Sequence, residues 1–138
     1  MIPRGGGRLA FRPQSLRPNF RGATVPTSDS VPVTNVATSL WEPFLVEGRP
    51  FGHVHWLRTT SAGAGQLFTG LWRHPAGAFD YQFPGDETFH MLEGRVRITL
   101  DDGAVVELCA GDVVSFPKGA KSHWSILEPM KKFFVISG

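Results

Sequence analysis

The segment Arg95-Val96-Arg97-Ile98-Thr99-Leu100 alternates strictly, with Val96, Ile98 and Leu100 on one face and Arg95, Arg97 and Thr99 on the other. A period of two sends one row of side chains to a core and the other to water, which predicts a half-buried β-strand. Asp101-Asp102-Gly103 follows as a tight hairpin turn, and residues 105–108 pair back. Gly111-Asp112 predicts another turn, residues 113–116 another strand, and Pro117-Lys118-Gly119 a turn with proline and glycine in favoured places. Residues 122–127 and 132–136 complete the series, and residues 53–59, 66–72 and 79–83 read as strands upstream. No segment carries an apolar stripe at helical spacing over three turns. Short strands separated by turn residues predict an all-β antiparallel sandwich or barrel.

The first forty residues break this pattern. Gly5, Gly6 and Gly7 are consecutive, and Pro3, Pro13, Pro18, Pro26 and Pro32 recur too often for a helix. Residues 1–40 therefore read as a flexible basic extension, and residues 41–138 as one domain. Residues 31–40 leave a second reading open, an edge strand or a crossing to a partner subunit. Charge follows the same division. Residues 1–40 carry five arginines against one acid, Asp29, whereas residues 41–138 carry nine Lys/Arg against eleven Asp/Glu. The pI near 9.0 thus reflects the extension, not a basic domain, and no nucleic-acid partner is expected.

Composition sets further bounds. At 138 residues, with 41% hydrophobic and 19% charged, the chain suits one folded domain. The single cysteine, Cys109, excludes an intramolecular disulfide and a Cys-cluster metal site, and reads as a small buried hydrophobe. No apolar run is long enough to span a membrane, and no apolar core of a secretory signal is present. A reduced, cytoplasmic compartment fits these features. The Arg-rich, acid-poor extension leaves organelle targeting open.

Glu87 is followed after six residues by Gly94, and Gly111 after five residues by Pro117-Lys118-Gly119. These two motifs resemble those of the cupins, small double-stranded β-helix or jelly-roll barrels. Gly70-Leu71-Trp72, Pro75-Ala76-Gly77, Leu92-Glu93-Gly94, Trp124 and Glu128-Pro129-Met130-Lys131-Lys132 narrow the likeness. They resemble the single-domain cupins related to (S)-ureidoglycine aminohydrolase and the ethanolamine-utilisation Q proteins. The resemblance covers residues 41–138 and implies a barrel pocket and a homodimer, with many relatives lacking an assigned activity.

Metal-dependent cupins gather three imidazoles and one carboxylate inside the barrel, on neighbouring strands that all face inward. Glu87 takes the carboxylate position here. The paired-histidine position falls on Asp80-Tyr81-Gln82 or on Tyr81-Gln82-Phe83, neither of which holds a histidine. The third falls on Ser122, with His123 one residue late and so on the opposite face of a regular strand. No metal cofactor is expected. A divalent ion held by Glu87, His123 and the Asp80/Gln82 region is the alternative, should a bulge restore the register.

His53-Val54-His55 is a further histidine pair, but it lies far upstream of Glu87 and reads as an exposed or subunit-facing strand surface. His90 faces away from Glu87, and His74 reads as a loop residue. The candidate pocket residues are Trp72, Asp80, Tyr81, Gln82, Phe89, Ser122 and His123, with Glu87 as the candidate catalytic group. A carboxylate sharing its face with Phe89 and Met91 needs a cation or hydrogen-bond donors, or it retains its proton, as an acid/base catalyst requires. Lys132 is either that cation or, with Lys131, a charged guard on a sheet edge. The resulting function is a pocket that binds or turns over a small polar metabolite such as an amide, ureide or short carboxylic acid. The alternatives are a non-catalytic structural or sensor cupin, and a metal-dependent aminohydrolase.

Overall fold

The computed structural model describes residues 31–138, so most of the expected extension, residues 1–30, lies outside the described residues. Eight strands follow in chain order: β1 Glu42–Val46, β2 Arg49–Arg58, β3 Leu67–His74, β4 Gly77–Gln82, β5 Asp86–Leu100, β6 Val105–Cys109, β7 Val113–Phe116 and β8 Lys121–Ser137. All their pairings are antiparallel.

β5 and β8 form the frame. They pair along their whole length, from Asp86 opposite Ser137 to Leu100 opposite Ser122, and both turn a corner midway. The first half of β5 and the second half of β8 join β1, β2, β3 and β7 in one sheet; their other halves join β4 and β6 in a second. The two inner faces share one core that includes Val54, Trp72 and Phe134 from the first sheet and Val96, Ile98 and Ile126 from the second. This is the jelly roll that the strand pattern and the motifs predict.

The corner is written in the burial pattern. Glu87, Phe89 and Met91 point inward at odd numbers, whereas Val96 and Ile98 do so at even ones, and register shifts between Met91 and Val96 absorb the change. Gly94 sits there at φ 90°, and a Cβ on it would stand 2.2 Å from the Pro129 carbonyl oxygen. Only glycine tolerates both the left-handed backbone and that approach. Pro129 occupies the matching corner of β8, where a missing N–H does least harm to a ladder. It also explains why the sequence pattern divides β8 into two strands.

Arg95 and Arg97 stay on the outer face, paired with Glu128 at 3.2 Å and Glu107 at 2.8 Å. Beyond Leu100 the turn closes as its residues predict, with Ala104 N donating to Asp102 Oδ1 at 2.9 Å and Gly103 at φ 95°. Cys109 is a correction: it is exposed, because its neighbour Leu108 takes the inward position. β1, which the pattern analysis does not anticipate, is an edge strand; it carries Pro43 and only five residues.

The described end of the expected extension lies against the domain. Residues 32–41 run over the outer face of the larger sheet, where Pro32, Val33, Thr34 and Val36 line a cleft with Leu57, Leu71 and Phe133. Lys131 Nζ donates to the Val36 carbonyl at 2.9 Å, and the Thr34 hydroxyl bonds His55 Nε2 at 2.9 Å. The Arg73 guanidinium lies 4.3 Å from the Trp41 ring centre, and the Trp41 ring meets His55 edge-on. His53 is exposed as expected, but His55 is buried beneath this strap. Burial lowers its pKa below the ordinary 6.5, opposed in part by a backbone hydrogen bond to Leu40. Among the described residues no helix is long and apolar enough to cross a membrane.

Candidate functional site

Alternation along β5 delivers Glu87 to the interior, with Phe89 and Met91 beside it. Alternation along β8 delivers Lys132 opposite, in the row Met130, Lys132, Phe134, Ile136. The two side chains meet with Nζ 2.6 Å from Oε2, at 6% and 1% side-chain exposure. Four rings surround the ammonium: Phe89 at 4.2 Å, Trp72 and Trp124 at 4.9 Å, and Phe134 at 5.6 Å from Nζ. Ring faces at these distances attract a cation and partly replace its lost water. Tyr81 completes the group by donating its hydroxyl to Glu87 Oε1 at 3.3 Å.

The electrostatics follow from burial. Desolvation pulls Lys132 below the ordinary lysine value of 10.5, and the Glu87 carboxylate opposes that fall through its charge and its hydrogen bond. Desolvation, then the neighbouring Glu87 charge, pushes Tyr81 well above 10.0, so its hydroxyl remains a donor at neutral pH. A carboxylate and an ammonium in contact are net neutral, which is what makes their joint burial tolerable.

The three groups line a hollow together with Phe44, Phe51, Trp72, Phe79 and Trp124. It encloses about 430 Å³ counting its open mouth, of which about 30 Å³ admits the centre of a water molecule. A molecule of a few heavy atoms is the scale that fits. Its walls are apolar and its polar groups converge at one point, the usual form of a small-molecule site.

The candidate residues divide by face. Glu87, Trp72 and Tyr81 line the hollow, and Phe89 backs the ammonium. Ser122 is buried but acts in the wall: its hydroxyl donates to the Tyr81 carbonyl at 2.6 Å and accepts from the Trp124 indole at 3.0 Å. Asp80, Gln82 and His123 are corrections. β4 and β8 remain regular, so Tyr81 and Ser122 turn inward and these three turn outward. His123 Nδ1 and Asp80 Oδ1 bond each other at 2.7 Å on the exposed face, and Gln82 Nε2 donates to the Gly119 carbonyl at 3.2 Å. His74 closes β3 against the Trp72 and Phe79 rings. Trp124 is 1% exposed, in the core.

Lys132 is the residue on which the sequence leaves two readings. The signal was present: Lys132 shares its parity with Met130, Phe134 and Ile136, and all three of those are buried. The donor set does not fit the cage of three imidazoles and a carboxylate. No bulge brings His123 inward, and Glu87 already holds an ammonium. Among the described residues no three of His, Cys, Asp and Glu gather as metal ligands.

Comparison with known proteins gives the same outline. The profile of the EutQ-like cupin domain matches residues 62–134. A Salmonella typhimurium LT2 structure bearing the name ethanolamine utilization protein Q superposes with a TM-score of 0.55 at 21% identity, covering 66% of this chain and 80% of that one. The EutQ protein of Clostridium difficile gives 0.54 at 21% identity, covering 85% and 83%. A DUF861 family protein from Thermotoga maritima is 38% identical over 46% of this chain and 73% of its own, with a TM-score of 0.46. No curated protein matches the chain.

Proposed function

As the chain belongs to the EutQ-like cupin family, we propose that it binds a small molecule with a short apolar body and a single carbonyl, carboxyl or amide head in the barrel hollow. The observation that carries this reading is the Glu87–Lys132 pair at 2.6 Å in the lining of an aromatic hollow. A paired acid and base in one dry site offers a ligand a donor and an acceptor at once. It also moves a proton between them without creating net charge. Tyr81 supplies a second donor beside Glu87.

A structural, non-catalytic reading has one specific observation in its favour: no buried side-chain nitrogen or oxygen among the described residues lacks a hydrogen-bond partner. On that reading the ion pair is complete by itself and the hollow is core. The aminohydrolase reading draws less support, because the inward residues offer a carboxylate without imidazoles.

Calorimetric titration with propanamide separates the first two. We expect binding to the full chain and its loss in Val46→Trp, which enlarges a side chain in the lining of the hollow and leaves both members of the pair in place. Absence of binding, with a folded protein by near-ultraviolet circular dichroism, refutes the ligand-pocket reading.

A further inference from the structure

Three features converge on Lys132. Its Nζ stands 2.6 Å from Glu87, so a proton leaving the ammonium has an acceptor within the same buried pair. The surroundings are rings, with Phe89, Trp72 and Trp124 all within 4.9 Å of Nζ, whose faces replace only part of the hydration the ammonium has lost. The amine also shares its hollow with the Tyr81 hydroxyl, a second proton donor that contacts Glu87. Burial acts on Lys132 in the same direction, favouring its neutral form against the opposing charge of Glu87.

We propose that Lys132 is a covalent site for small aldehydes, forming an imine with a carbonyl carbon delivered through the aromatic hollow. This rests on the preceding reading that the hollow admits a small carbonyl compound. Glu87 takes one proton from the ammonium, and the freed nitrogen pair attacks the carbonyl carbon. The C=O π pair moves to oxygen, which takes back the proton Glu87 holds; Glu87 then removes one proton from the adduct's cationic nitrogen, restoring its electron pair, and passes it to the hydroxyl, which leaves as water. The nitrogen pair closes the C=N bond. The balance is one ammonium and one aldehyde giving one iminium and one water, with no oxidant or reductant. The iminium keeps its positive charge beside Glu87, so the site remains neutral. Buried lysines beside a proton acceptor suit this chemistry because the free amine is the nucleophile.

The test uses propanal and cyanoborohydride, which reduces an iminium to a stable propyl-lysine, followed by peptide mass mapping of the full chain over time. The exposed Lys118 and Lys121 serve as internal references. The expected initial rate at Lys132 exceeds theirs several-fold, since capture of the aldehyde in the hollow and an acceptor for the ammonium proton both raise it. Excess propanamide, which cannot form the imine, slows labelling at Lys132 and not at Lys118. Labelling of Lys132 that is absent, or no faster than at Lys118, overturns the proposal. Propanamide binding without Lys132 labelling removes this inference and leaves the pocket reading standing. Absence of both removes both.

Discussion

Lys132→Met leaves the Glu87 carboxylate 1% exposed with its cation gone and only the Tyr81 hydroxyl at 3.3 Å to replace it. Glu87→Gln leaves the ammonium among four rings without a counter-charge. Breaking one side of a buried pair costs about 3–5 kcal/mol, because the survivor is a desolvated, uncompensated charge. Ring faces offset part of this in Glu87→Gln, by about 1–2 kcal/mol, so Lys132→Met is the more damaging. The double variant buries neither charge and is expected within about 2 kcal/mol of wild type, since exchanging a whole buried pair for apolar or neutral groups is often close to neutral. The two single losses then exceed the double loss by about 2 kcal/mol or more. A domain of this size has about 5–15 kcal/mol in all, so urea titrations are run cold to keep the single variants folded. Trp72 and Trp124 lie 4.9 Å from Nζ, which makes tryptophan fluorescence a direct probe. Additive losses, with the double variant as damaged as the sum of the singles, would refute the claim that the charges stabilise each other.

Three further outcomes follow from the geometry. Tyr81→Phe removes a long hydrogen bond to a carboxylate, and urea unfolding is expected to show a loss of about 1 kcal/mol. His55 has a folded-state pKa below its ordinary 6.5, so on acidification the unfolded chain takes the proton first. Its stabilising contribution is whole above pH 6.5 and declines as pH falls from there to the folded value. Calorimetric melting against pH should therefore slope downward below 6.5 in wild type and less so in His55→Gln; equal slopes would contradict this. Gly94→Ala forces a side chain into the left-handed region, at about 1–2 kcal/mol, and against the Pro129 carbonyl besides. Loss of the cooperative melting transition, or a melting point lowered beyond the backbone cost alone, is the expected reading.

Local alternation was legible wherever one face of a strand is wet. Val96 and Ile98 against Arg95 and Arg97 reveal their own faces, as do the Asp101–Gly103 turn and the glycine at the β5 corner. Legibility fell where both faces of a strand are covered. In β3 Leu71 lines the cleft under the strap of residues 32–41 and Trp72 turns toward the core, so both faces of the strand are covered. His55 reads as surface until that strap is placed over it. Within the candidate site, Glu87 was found through the motif that contains it, whereas His123 and Asp80 carried the right chemistry on the wrong face.

The sequence by itself determined the all-β class, the turns, the family likeness and the inward carboxylate, because those depend on side-chain period and on residues a few places apart. It also contained the inward parity of Lys132, though not the neighbour that parity would meet. Only the tertiary structure decided that Lys132 reaches Glu87 across 45 positions of chain, that Tyr81 joins them, and that Asp80, Gln82 and His123 stay outside. Such contacts are set by the β5–β8 register and by the corner at Gly94. A one-residue change in either would exchange the two faces and replace an ion pair in an aromatic hollow with a histidine–aspartate pair.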